Sequence, residues 1–243
     1  MSMLLSRLIR SHWLGVPLAL WIGFPVFALL MVLWPDLDLA VSGLFFTPGA
    51  GFVLKGAPWE RALHESVPVL MVGVNLALIA LWWFNRRTGR RRLGFDGRKL
   101  AFLLCLLILV PGLIVNQGLK EHWGRARPVT VVEFGGDKTF TPAFVLSDQE
   151  GGSFSSGHAA AAAYVVAVAA ILAGRGSPWV WLALVYALGV GLARLVSGGH
   201  FFSDVLTSLL LVWIGYRLLG RLFFPETQAV KAGARTQPKT TSS

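Results

Sequence analysis

LALVYALGVGLARLVSGGHFFSDVLTSLLLVWIGY, residues 182–216, decides the fold. Two apolar runs long enough to cross a roughly 30 Å hydrocarbon layer flank a polar island that carries Arg194, His200 and Asp204. A soluble core would not take runs this apolar, and a lipid-exposed span would not take three ionisable groups without a use for them, because each costs a few kcal/mol to insert. The stretch therefore reads as two membrane helices joined at a polar, functional edge.

The rest of the chain agrees with a membrane solvent. Of its 243 residues 55% are hydrophobic and only 14% charged, against about 25% charged in an ordinary soluble domain. Four further apolar segments bring the expected spans to six, near 14–34, 67–84, 100–119, 157–174, 179–196 and 203–222. The first follows Arg7 and Arg10 as a signal peptide would, but its run is longer than a signal-peptide core and no small-residue cleavage site follows, so it reads as a retained helix. The expected fold class is all-α: one polytopic six-helix membrane domain over 1–224, then a polar tail over 225–243 without apolar period, expected to be disordered. The lone cysteine, Cys105, excludes an internal disulfide.

The net charge of +10 raises nucleic acid as a partner, and its distribution argues against it. With six spans, 15 of the 22 Lys and Arg residues fall on the side of the two termini, many of them in NRRTGRRRLGFDGRK, residues 85–99. That is the positive-inside pattern, so both termini are expected in the cytoplasm, with anionic headgroups as a secondary attraction.

Alternation of the helices then brings three polar islands to the opposite surface. They are KEHWGRARP (120–128), SSGH (155–158) and ARLVSGGHFFSD (193–204). The residue types fit a phosphate. Arg127 and Arg194 offer planar forks and Lys120 a mobile charge. Ser156 and Gly157 open a helix whose free N–H groups favour an anion. His200 and Asp204, spaced i and i+4, allow the carboxylate to hold one ring nitrogen while the other acts as nucleophile, and His158 from another helix can protonate the departing alcohol. Other polar residues take plainer readings: Arg125 snorkels to headgroups, and His12, His64 and His122 are interfacial histidines without a task. A metal would be repelled by the cations around the histidines and has no further carboxylate at a matching spacing, so neither metal nor other cofactor is expected.

The three motifs resemble those of the type 2 phosphatidic acid phosphatase (PAP2) superfamily, which also includes the vanadium haloperoxidases. The family pattern is Lys, six residues, Arg-Pro; then Pro-Ser-Gly-His; then Ser-Arg, five residues, His, three residues, Asp. The resemblance covers about residues 60–222 and departs at Ser155, where serine can cap the helix in place of proline, and at Ala193, which lacks a hydroxyl that could reach phosphate. It implies that His200 forms a phosphohistidine, Asp204 orients it, His158 acts as acid, and Lys120, Arg127, Ser156, Gly157 and Arg194 hold the phosphoryl group of a lipid substrate without metal. The loop TVVEFGGDKTFTPAFVLSDQEGGSF (130–154) is similar to that of bacterial lipid A phosphatases, and the arginine- and alanine-rich composition points to a bacterial inner membrane with the site facing the periplasm. Phosphatidylglycerophosphate and undecaprenyl pyrophosphate phosphatases share the motifs, and a phosphohistidine would equally permit transfer to another lipid or alcohol. Some relatives keep the fold as non-catalytic lipid-binding proteins, and loss of His200 or His158 would point there, but both are present. The sequence leaves the 1- or 4′-phosphate and the oligomeric state open.

Overall fold

A computed structural model describes residues 12–225. Among them are seven helices: α1 (Leu18–Leu33), α2 (Asp36–Gly43), α3 (Pro58–Thr88), α4 (Gly97–Leu107, continued with π-helical hydrogen bonding over Ile108–Lys120), α5 (Gly157–Ala173), α6 (Pro178–Val196) and α7 (Phe202–Phe223). Two small antiparallel ribbons, β1 (His12–Trp13) with β2 (Val16–Pro17) and β3 (Phe46–Thr47) with β4 (Gly51–Phe52), and three single-turn 3-10 helices (Arg92–Gly94, Pro128–Thr130 and Val132–Phe134) complete the regular structure among the described residues.

Local sequence sets the ends of these helices. Pro58 takes the first position of α3, where its missing N–H has no partner to lose, and Gly89 ends the helix in the left-handed region at φ 67°. Asp96 caps α4 by accepting from the Lys99 amide at 2.9 Å, and Ser177 caps α6 ahead of Pro178. Pro111 removes one donor and crowds the carbonyl of the preceding turn, and the hydrogen bonding of α4 widens around it; the Asn116 side chain donates to the Pro111 carbonyl at 2.7 Å.

Four helices (α3, α4 with its continuation, α6 and α7) are long and apolar enough to cross a membrane, and α1 with α2 makes a fifth if that bent pair is one span. The expected first span is different in kind. Residues 14–17 belong to the first ribbon and its turn, α1 has 16 residues, and the chain then turns by 81° into α2. Pro35, at the head of α2, marks that break. The segment expected at 157–174 is α5, apolar but only 17 residues long, so length and composition do not bring the count to six. The expected tail, beyond residue 225, and the basic residues Arg7, Arg10, Lys231, Arg235 and Lys239 lie outside the described residues.

Alanine-rich α5 sits at the centre, packed against α6, α7 and the π-helical stretch, while α3 packs on α6. Ala159, Ala160 and Ala162 are fully buried, and their small side chains let the neighbouring backbones approach. The main core lies toward the opposite end of the helices, around Phe95, Phe102, Leu103, Leu106 and Tyr164. Polar side chains inside it are paired across helices, as where the Tyr164 hydroxyl donates to Asn75 at 2.9 Å. Outer faces run the other way: Val69, Val72 and Leu76 of α3 are each more than 60% exposed at helical spacing. Such a stripe is stable only where lipid is the solvent. The chain is a multi-pass membrane protein.

Candidate active site

The end of α4, the starts of α3, α5 and α7 and the end of α6 meet at one end of the bundle, and the three polar islands stand on these ends. Arg127 precedes Pro128, which forces extended backbone (φ −85°, ψ 154°) and turns the chain out of the helix direction. Ser156 caps α5, its hydroxyl accepting from the Ala159 amide at 3.4 Å. The cap is therefore Ser156 and not Ser155, whose buried hydroxyl has no hydrogen-bond partner among the described residues. Gly157 follows because the space is taken: a Cβ there would lie 2.5 Å from Asn116 Oδ1. The same holds at Gly199, where a Cβ would overlap the Arg194 guanidinium.

Arg194 and His200 are held by the turn between α6 and α7. The amides of Gly199 and His200 both donate to the Arg194 carbonyl at 3.1 Å, so the turn folds back over the end of α6. His200 is 3% exposed, and its Nδ1 lies 2.7 Å from the Ser153 carbonyl. A carbonyl only accepts, so Nδ1 carries the proton and Nε2 keeps its lone pair. This differs from the expected direct pairing with Asp204. Asp204 Oδ2 is 3.8 Å from Nδ1 because α7 begins at Phe202, after the histidine, so the two side chains are not one full turn apart on a helix. Ser153 joins them instead: its hydroxyl donates to Asp204 Oδ2 at 2.6 Å while its carbonyl accepts from His200. Burial lowers the pKa of His200 below its usual 6.5, with Asp204 opposing the shift and Arg194 and Arg127 adding to it.

Asp204 is anchored from below by a residue that the sequence reading placed at the lipid surface. Arg125 is fully buried rather than snorkelling. Its Nη1 donates to Asp204 Oδ1 at 2.5 Å and to Ser203 Oγ at 2.9 Å, Nη2 to Asp38 Oδ2 at 2.8 Å, and Nε to the Thr141 carbonyl at 2.8 Å. Phe201 lies under the guanidinium at 4.3 Å. Burial works against its charge, and the Asp204 and Asp38 carboxylates more than offset that, raising its pKa. The carboxylate of Asp38 also accepts from the Ser203 amide at 2.9 Å and from the Ser203 hydroxyl, so α2 is tied to the first turn of α7. Sequence reasoning missed Asp38 and Ser153, since neither belongs to a motif and both act through long-range contacts.

The remaining positions surround His200. His158 is half-buried in the first turn of α5 and within electrostatic reach of His64, Arg194, His200 and Lys120. Arg127 and Arg194 each keep a buried Nε with no hydrogen-bond partner among the described residues. Both guanidinium groups lie within electrostatic reach of His200, and buried N–H groups without a partner are of the kind that can take an anion with two or more oxygens. His64 also belongs here: its ring stacks on His158 with centroids 4.3 Å apart, and its Nδ1 lies 2.8 Å from Arg194 Nη1. The reading of His64 as an idle interfacial residue does not fit these contacts. His122 is exposed, with its Nδ1 2.8 Å from the Gln117 carbonyl. Among the described residues no three His, Cys, Asp or Glu side chains cluster to hold a metal ion.

Comparison with known proteins gives the family. The PAP2 superfamily profile matches residues 96–227. The chain is 33% identical over 211 residues to a protein named lipid A 4′-phosphatase from Francisella tularensis subsp. novicida (strain U112), covering 83% of this chain and 91% of that protein. A lipid A 4′-phosphatase from Rhizobium leguminosarum is 29% identical over 71% of this chain and 81% of its own. No solved structure matches. The profile takes in the islands at 120–128, 155–158 and 193–204 that the fold gathers at one end of the bundle, and the chain belongs to the PAP2 superfamily.

Proposed function

We propose that this protein is a lipid A 4′-phosphatase of the bacterial inner membrane, cleaving a phosphate monoester at the periplasmic surface through a phosphohistidine. The observation that carries this reading is the anion cradle beside a histidine of fixed tautomer. Arg127 and Arg194 present buried unpartnered Nε groups, and Ser153 holds the proton of His200 on Nδ1. The names of the relatives supply the lipid and the phosphate position; the distribution of basic residues supports cytoplasmic termini.

The geometry divides the chemistry as follows. Arg127, Arg194, Lys120 and the first-turn amides of α5 neutralise the phosphoryl oxygens, where charge collects in the transition state. His200 Nε2 attacks phosphorus and forms the N–P bond as the bond from phosphorus to the sugar oxygen breaks. That oxygen takes a proton from His158, leaving the lipid as a free alcohol. The new cation on His200 is stabilised by Asp204 at 3.8 Å and by the Ser153 carbonyl on Nδ1–H. Neutral His158 then removes a proton from water as the water attacks phosphorus, the N–P bond breaks, and inorganic phosphate leaves. No step uses a metal.

The test is phosphate release by detergent-purified protein, with chelator present, from lipid A, phosphatidylglycerophosphate and undecaprenyl pyrophosphate in parallel. The product from lipid A is mapped by mass spectrometry, and His200→Ala runs beside the wild type. Release of the 4′-phosphate from lipid A, lost in the variant, is expected. Preference for either other lipid overturns the substrate, and activity in His200→Ala overturns the nucleophile.

A further inference from the structure

We propose that His64 is a positioning residue for this reaction: as a neutral imidazole it accepts a hydrogen bond from Arg194 and lays its ring against His158, so that one side chain of α3 fixes both the phosphate-holding guanidinium and the acid. The proposal rests on the phosphoryl-transfer reading above and adds to the site a residue that lies outside all three sequence motifs and outside residues 96–227.

Arg194 Nη1 can only donate, so at 2.8 Å His64 Nδ1 must be the acceptor and its proton must sit on Nε2. A doubly protonated His64 would lose that bond and place a cation against the guanidinium. The nitrogen it occupies matters for the substrate. With Nη1 engaged, Arg194 is left with Nε and Nη2, the pair whose hydrogens point the same way and suit two oxygens of one phosphate. Nε is buried and unpartnered, and Nη2 is packed against the backbone at Gly199. His64 thus selects which edge of the guanidinium faces the cradle.

Its second contact is with His158. The rings lie 18° from parallel with centroids 4.3 Å apart. A neutral ring stacked on His158 fixes its plane and offers a π face to the imidazolium form that protonates the leaving oxygen. Around this pair stand Glu60 and Glu65 of α3, Arg127, and Lys120, Arg194 and His200 beyond His158. Glu60, one turn before His64, is buried and accepts from the Gly56 amide at 3.0 Å, which holds the start of α3 against the loop before it. An imidazole in van der Waals contact with one catalytic ring and in hydrogen-bond contact with one phosphate-binding side chain is well placed to transmit a change at either to the other.

Two substitutions separate the contacts. His64→Phe keeps a flat ring against His158 and deletes the acceptor; His64→Asn keeps an amide oxygen near the Nδ1 position and deletes the ring. The readouts on full-length protein in detergent are kcat and KM on lipid A, inhibition by inorganic orthovanadate as a probe of phosphate geometry, and the melting temperature. His64→Phe is expected to lower kcat about 10- to 100-fold, the range for one hydrogen bond to a charged group, and to weaken orthovanadate at least about fivefold at unchanged melting temperature. His64→Asn is expected to bring orthovanadate inhibition back to within about threefold of wild type while kcat stays depressed. Wild-type kcat and orthovanadate inhibition in His64→Phe would overturn the proposal, and so would equal loss of orthovanadate inhibition in both variants. His200→Ala separates the two readings: if it still releases phosphate, the phosphoryl-transfer mechanism fails, whereas an inactive His200→Ala beside an unaffected His64→Phe removes only the role of His64.

Discussion

Replacing Arg125 by Met tests whether the floor of the site is the ion cluster described above. The guanidinium, fully buried, bridges Asp204 at 2.5 Å and Asp38 at 2.8 Å, and both carboxylates are at most 1% exposed. Methionine fits the apolar volume but leaves two buried carboxylates facing each other without a cation. Breaking one buried pair by removing one partner costs about 3–5 kcal/mol, and here a single deletion breaks two coupled pairs, so that range is a lower bound. At roughly 2–4 °C per kcal/mol for a chain of this size, the melting temperature in one detergent should fall by at least about 6–20 °C, readable by intrinsic fluorescence from the ten tryptophans. Adding Asp38→Asn removes one orphaned charge and keeps an amide oxygen for the Ser203 N–H. In the Arg125→Met background it should restore about 1–3 kcal/mol, whereas in the wild type it should destabilise. If Arg125→Met melts within about 2 °C of wild type, or if Asp38→Asn destabilises both backgrounds equally, the cluster does not hold the site in the way argued.

Ser153→Ala removes the hydroxyl that links Asp204 to the loop and leaves the carbonyl that holds His200. It should lower kcat about 10- to 100-fold at nearly constant KM, and an unchanged kcat would show that Asp204 acts without this serine. Gly199→Ala forces the Arg194 guanidinium aside, and a displacement on the scale of 1 Å should cost about 100-fold in kcat/KM with the fold intact. His200 carries a pH signature. Its folded pKa lies below 6.5, so the unfolded chain takes up its proton first as pH falls, and the stability contributed above pH 6.5 is lost through the folded value. Wild type should therefore lose melting temperature relative to His200→Gln between pH 7.5 and pH 5, and parallel curves would contradict the lowered pKa.

The long apolar segments and the three polar islands were legible in the sequence because they depend on local properties. Hydropathy over about 20 residues, and cations and histidines at fixed spacing, need no distant partner to be recognised. Length alone misled at the first span, where residues 14–34 read as one helix and the structure spends some on a ribbon before α1 and turns sharply at Pro35. The i, i+4 spacing of His200 and Asp204 likewise suggested a direct bond, which the start of α7 at Phe202 prevents.

The sequence by itself determined a helical membrane protein whose three polar motifs, with their cations and histidines, fall at one end of its bundle. Only the tertiary structure decided which groups support that chemistry. Asp38 lies 87 positions before Arg125, Ser153 stands 51 before Asp204, and His64 lies 130 before Arg194. A spacing motif cannot encode contacts of that range, because the same residue in the same local sequence is idle or essential according to what the packing of other helices brings against it. Arg125 and His64 read as interfacial side chains until α2, α6 and α7 close around them, and burial then turns an ordinary charge or ring into a fixed part of the site.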